Sequence, residues 1–124
     1  MVLQAKKSIL VVDDESDIVT IIEMFLRKSG KTVKGFTDPN LALEHFKQNA
    51  SDYDTVLSDI RMPGINGFEL VRKLAEINPQ LRIFIMTAFE MHKSEFEKVF
   101  PSIKVVNLIE KPVSMHTLLK LIEA

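Results

Sequence analysis

The sequence predicts an α/β fold: a doubly wound parallel sheet of five strands in the order 2-1-3-4-5, with five helices. Three observations carry that expectation. Apolar runs alternate with amphipathic segments five times along 124 residues. Most of the runs are apolar throughout rather than alternating, the habit of strands covered on both faces. The connections are short, as in strand–helix–strand units, and right-handed crossovers then leave few topologies.

The first strand, near 8–13, is Ile9-Leu10-Val11-Val12 running into Asp13-Asp14-Glu15. A helix near 16–29 follows, with Ile18, Ile21, Ile22, Phe25 and Leu26 as its apolar stripe. Ser29-Gly30 stops it, Gly30 suiting a left-handed cap. After a strand near 32–36, the helix near 38–48 has Asp38 as cap and Pro39 at its first position. Leu41, Ala42, Leu43 and Phe46 supply its apolar side. The strand near 54–59 is Thr55-Val56-Leu57-Ser58 ending on Asp59, and the helix near 67–77 carries Phe68, Leu70, Val71, Leu74 and Ile77. Asn78-Pro79 ends that helix. Ile83-Phe84-Ile85-Met86 forms the strand near 82–87 and runs into Thr87. A fourth helix is expected near 91–100 and a fifth strand near 104–109, the latter running into Glu110-Lys111-Pro112. The last helix, near 114–123, starts at Ser114 and turns Leu118, Leu119, Leu121 and Ile122 inward. Five strands of this size suit the flavodoxin-like doubly wound arrangement.

The bulk composition narrows the function classes. At 124 residues and 46% apolar content the chain reads as one domain, 1–124, with a real core. A net charge of −1, with acids and bases dispersed, argues against a charge-driven nucleic-acid surface. The absence of cysteine removes disulfides, thiolate metal sites and cysteine nucleophiles. No apolar stretch is long enough for a bilayer span, and Met1–Lys7 lacks a signal-peptide core. A cytoplasmic location suits such a chain.

In open parallel sheets, ligands bind just beyond the carboxyl ends of the strands. That rule gathers Asp13, Asp14, Asp59, Thr87 and Lys111 along one edge. Adjacent carboxylates repel unless a cation offsets them, and Mg²⁺ suits a site of a few carboxylates and several waters. A helix-capping role for Asp14 or Ser16 accounts for the first acids equally well. Asp59 precedes Ile60-Arg61-Met62-Pro63-Gly64-Ile65-Asn66-Gly67, a loop whose Pro and two Gly can bring backbone groups close to an ion or anion. Its carboxylate suits a ligand, a nucleophile, or plain turn chemistry before a helix. Thr87 offers a hydroxyl and Lys111 a compact cation; each alone is an ordinary residue in its place. A cis Lys111–Pro112 bond would aim the lysine inward. His45, His92 and His116 lie on separate predicted helices with no ligand spacing, and read as surface residues. Met62, Met86 and Met91 read as packing. No phosphate-binding glycine loop of the nucleotide-binding types is present.

Together, Val11-Val12-Asp13-Asp14-Glu15, Ser58-Asp59 through Asn66-Gly67, Met86-Thr87-Ala88 and Lys111-Pro112 resemble the receiver domain of two-component response regulators. The resemblance covers essentially the whole chain. It implies that Asp59 is the phosphoacceptor, charged by a sensor histidine kinase or phosphotransfer protein. It implies a Mg²⁺ site at Asp13, Asp14, Asp59 and the backbone carbonyl of Arg61, with Asp14 binding directly and Asp13 largely through water. Thr87 and Lys111 would contact the phosphoryl group, and the domain would promote its own phosphorylation and dephosphorylation without being an enzyme in the usual sense. An output partner would meet the face of helix four, strand five and helix five, where Lys93, Glu97, Lys98 and Lys104 are candidate contacts. No nucleic acid or membrane is expected to bind directly.

The sequence departs from the family pattern at Leu108, where an aromatic commonly stands three residues before the lysine, and in Phe100–Lys104, which lacks the frequent Gly-Ala pair. Arg61 and Phe89 flank the expected site and are hypothesised to slow hydrolysis; an unchanged phosphoryl lifetime in Arg61→Asn with Phe89→Glu would reject that role. A phosphorylation-independent pseudo-receiver that acts as a binding module is the alternative, which the acid pair, Asp59, Thr87 and Lys111 weigh against. A phosphatase with an aspartyl-phosphate intermediate would need a second acid at position 61, which is arginine.

Overall fold

Five parallel strands, β1 (Ser8–Val12), β2 (Val33–Phe36), β3 (Tyr53–Asp59), β4 (Arg82–Thr87) and β5 (Val105–Glu110), lie in the order β2-β1-β3-β4-β5. The computed structural model describes residues 7–60, 62, 64–87, 105–112 and 114–123. Helices α1 (Ser16–Lys28), α2 (Pro39–Asn49) and α3 (Gly67–Ile77) and a C-terminal helix (Met115–Glu123) accompany the sheet, with one 3-10 turn at Ala50–Asp52. The helix expected near 91–100 lies outside the described residues.

Strands β1, β3 and β4 carry apolar runs because alternate residues feed two cores. Leu10, Val12, Val56, Ile83 and Ile85 join Ala42, Leu43 and Phe46 of α2 and Leu70, Val71 and Leu74 of α3. Ile9, Val11, Leu57, Phe84 and Met86 face the other way, onto Ile22 and Leu26 of α1 and Leu118 and Ile122 of the C-terminal helix. With apolar residues on both faces of β1, β3 and β4, the strand ends are left for polar chemistry.

The helix ends show what the local sequence specifies. Gly30 has φ +83° and closes α1, its N–H donating to Arg27 O while the Lys31 N–H donates to Leu26 O, both at 3.0 Å. Asp38 caps α2 as expected, accepting from Asn40 N at 2.8 Å. Ser114 Oγ accepts from Thr117 N at 3.4 Å before the C-terminal helix. The start of α1 differs from expectation. Glu15 is the N-cap and its side chain makes no capping bond; Asp13, not Asp14 or Ser16, accepts the Glu15 N–H at 2.9 Å. Leu41 also differs: it is 60% exposed, because Ala42, Leu43 and Phe46 already fill the buried side of α2.

Candidate functional site

The carboxyl ends of β1, β3, β4 and β5 meet at one edge of the sheet. Asp13 and Asp14 follow β1, Asp59 ends β3, Thr87 ends β4 and Lys111 follows β5. Asp13, Asp59 and Thr87 are buried, whereas Asp14 is exposed. One carboxylate oxygen from each of Asp13, Asp14 and Asp59 lies within 4.8 Å of the others. Lys111 Nζ donates to Asp13 Oδ2 at 2.8 Å and stands 3.5 Å from Asp59 Oδ2 and 3.9 Å from Glu15 Oε1. Backbone pairing fixes Lys111 in that place, since its N–H donates to Thr87 O at 2.7 Å. The Lys111–Pro112 peptide is cis.

The electrostatics of the cluster are unbalanced. Burial pushes the Asp59 carboxyl above the ordinary aspartate range, and the charge of Asp13 adds to that rise. Lys111 and the Ile60 N–H, which donates to Asp59 Oδ1 at 2.9 Å, pull it back without cancelling it. Burial lowers the Lys111 ammonium, but its hydrogen bond to Asp13 and the charges of Asp13, Asp59 and Glu15 outweigh burial and hold it above the usual lysine range. The carboxyl groups of Asp13, Asp14 and Asp59 outnumber the single ammonium that faces them. Oxygen donors of that charge and spacing fit a hard divalent cation.

The loop after Asp59 returns on itself. Gly64 has φ +82°, a conformation that suits glycine, and Gly67 N–H donates to Ile60 O at 2.7 Å. Asn66 then caps α3 by accepting from Glu69 N at 2.9 Å. A groove of about 430 Å³, walled by Ile18, Ile21, Ile22, Pro112 and Met115, opens beside Glu15 and Lys111.

A family model described as the response regulator receiver domain matches residues 9–123. The chain belongs to that family. It is 34% identical over 116 residues to the regulatory protein VanRB of Enterococcus faecalis, covering 94% of this chain and 50% of that protein. It is 38% identical over 78 residues to the transcriptional regulator NtrC of Salmonella typhimurium, covering 63% of this chain and 16% of NtrC. The chain therefore spans half or less of these curated relatives. Among solved structures, the chemotaxis protein CheY4 of Vibrio cholerae superposes with a TM-score of 0.83 at 25% identity, covering 96% of this chain and 98% of that one. A CheY-like receiver domain protein from Methanospirillum hungatei gives 0.84 at 25% identity, covering 96% and 92%.

In this receiver domain, Asp13, Asp14, Asp59, Thr87 and Lys111 are all at the edge where the sequence places them. Leu108 is half-buried, paired in register with Ile85 and packed on the core shared with α2 and α3. Arg61 and Phe89, with Lys93, Glu97, Lys98 and Lys104, lie outside the described residues, as do Met91 and His92. His45 corrects the expectation of surface histidines: it is half-buried, with Nε2 2.6 Å from Tyr53 OH. Two site features escape the sequence reading. Glu15 approaches Lys111, which a run of three acids does not single out. Asn66 caps α3, which the Asn-x-x-Glu spacing of Asn66 and Glu69 signals.

Proposed function

We propose that this receiver domain, 1–124, is a phosphorylation-controlled switch. An Asp59 carboxylate oxygen attacks the phosphorus of a phosphohistidine on a sensor histidine kinase or phosphotransfer protein. The O–P bond forms as the N–P bond breaks, and the electron pair returns to the donor imidazole. Mg²⁺ held by Asp13, Asp14, Asp59 and the Arg61 carbonyl would supply positive charge to the transferring group. Thr87 Oγ1 donates to a phosphoryl oxygen, and the Lys111 ammonium exchanges carboxylate partners for the phosphoryl group. Compartment and output follow the family: cytoplasmic, with a partner on the face of helix four, strand five and helix five. No helix among the described residues is long and apolar enough to cross a membrane.

The observation that carries this reading is the cluster of Asp13, Asp14 and Asp59 with Lys111 Nζ 3.5 Å from Asp59. Acetyl phosphate with Mg²⁺ tests it. Intact-mass measurement should show the gain of one phosphoryl group, lost in Asp59→Asn. An unlabelled native chain, or an equally labelled variant, rejects the assignment.

A further inference from the structure

We propose that Gly67 is a positioning residue for phosphoryl transfer: the missing side chain at position 67 sets where the Asp59 carboxylate stands. The inference rests on reading Asp59 as the phosphoacceptor.

Among the described glycines, Gly30 and Gly64 need positive φ and Gly67 does not. Its requirement is space. A Cβ on Gly67 would overlap the carbonyl oxygen of Asp59 and would lie 2.6 Å from Ile60 Cα and 2.9 Å from the Asp59 carbonyl carbon. All three are backbone atoms at the end of a central strand, so none can rotate away. Gly35 is the contrast: the three atoms nearest a Cβ there belong to the Val19 and Glu23 side chains.

The peptide that Gly67 touches also carries the chemistry. Ile60 N–H donates to Asp59 Oδ1 at 2.9 Å, and Ile60 O accepts from Gly67 N at 2.7 Å. Ser58 Oγ donates to the Asp59 carbonyl oxygen at 2.9 Å. Carboxylate, Asp59–Ile60 peptide and first residue of α3 thus form one connected stack. Relieving an overlap at position 67 displaces that peptide and the start of α3 relative to one another by on the order of 1 Å, and the share taken by the peptide carries the Asp59 carboxylate away from the Asp13–Asp14–Lys111 cluster.

The test compares Gly67→Ala with Gly30→Ala, whose φ of +83° also strains the chain but whose Cβ meets nothing within 4 Å. Folding is followed by circular dichroism, and trimethylamine N-oxide is added where needed to equalise the folded fraction. Phosphorylation by acetyl phosphate with Mg²⁺ is followed by intact mass. At matched folded fraction, Gly67→Ala is expected to slow the saturated phosphorylation rate on the order of 10–100-fold, with Gly30→Ala at the native rate. A Gly67→Ala rate equal to that of Gly30→Ala overturns the inference. The unaltered chain supplies a reading that needs no folded variant. When Mg²⁺ and beryllofluoride are added, the Gly67 amide resonance should move together with that of Ile60, and a stationary Gly67 resonance overturns the inference as well. Failure of the phosphoacceptor reading would be seen separately, as absence of label on the native chain.

Discussion

Lys111 donates to the fully buried Asp13 carboxylate at 2.8 Å across 98 positions of sequence. That bond ties the end of β5 to the end of β1, the same ammonium faces Asp59 on β3, and the Lys111 N–H holds Thr87 on β4. One residue thus links four strand ends. A charged group so placed acts on stability before any ligand arrives, because it offsets repulsion that burial would otherwise amplify.

Lys111→Met should therefore destabilise the domain in chelator by roughly 1–3 kcal/mol, the cost of leaving a buried acceptor and its neighbours poorly compensated. Asp13 keeps its bond from Glu15 N, which holds the loss below that of a fully orphaned charge. The three carboxylates would then bind Mg²⁺ more tightly, with no ammonium in competition. Urea melts with and without Mg²⁺ measure both effects. A variant as stable as the native chain in chelator, with unchanged Mg²⁺ affinity, contradicts the role assigned to Lys111.

Tyr53 offers a titration free of overlap, since it is the single tyrosine and the chain has no tryptophan. Burial, assisted by the charge of Asp52, raises its phenol above the ordinary value of 10.0. A raised folded value means that the fold favours the protonated phenol. Its contribution to stability is complete below the unfolded value near 10 and is lost as pH climbs through the folded one. Phenolate absorbance should give a midpoint above 10 in the native chain and near 10 in urea. Coincident midpoints would refute the argument.

Sequence pattern reaches the fold because the strands are bounded by chemistry: Arg82 opens β4 and Thr87 closes it, with only apolar residues between. It reaches the site for the same reason, since each functional group follows an apolar run. It fails where several neighbours share one chemistry. Asp13, Asp14 and Glu15 are three acids in a row, and only the fold distinguishes Asp13, which is buried and bonded to both Lys111 and the Glu15 N–H. His45 fails differently: its partner Tyr53 belongs to a strand that begins after the helix has ended, so no local spacing announces the pair.

The apolar residues of α2 illustrate the same boundary and give a third expectation. Leu41 and Phe46 both read as facing inward, but Leu41 is 60% exposed and Phe46 is 0% exposed. Phe46→Ala should cost about 3–5 kcal/mol through lost burial and a residual cavity. Leu41→Ala should stay within about 0.5 kcal/mol of the native chain. Chemical denaturation of the two variants separates them, and similar losses in both would mean that α2 is rotated from the placement described.

Asp59→Asn isolates the electrostatic cost of the site from its chemistry. Burial and Asp13 raise the Asp59 carboxyl, so the fold disfavours its charged form. An amide of nearly the same shape keeps an oxygen for the Ile60 N–H, which now reaches Asp59 Oδ1 at 2.9 Å. In chelator the variant should be more stable than the native chain, by on the order of 1 kcal/mol. Mg²⁺ should reverse the ranking, because a ligand that binds the folded state stabilises it in proportion to its affinity, and the variant has lost one of its three carboxylates. Thermal melts across a Mg²⁺ series would show the two curves crossing. If Asp59→Asn melts below the native chain without metal, attraction to Lys111 at 3.5 Å outweighs burial and Asp13 together, and the cluster is balanced before any cation arrives.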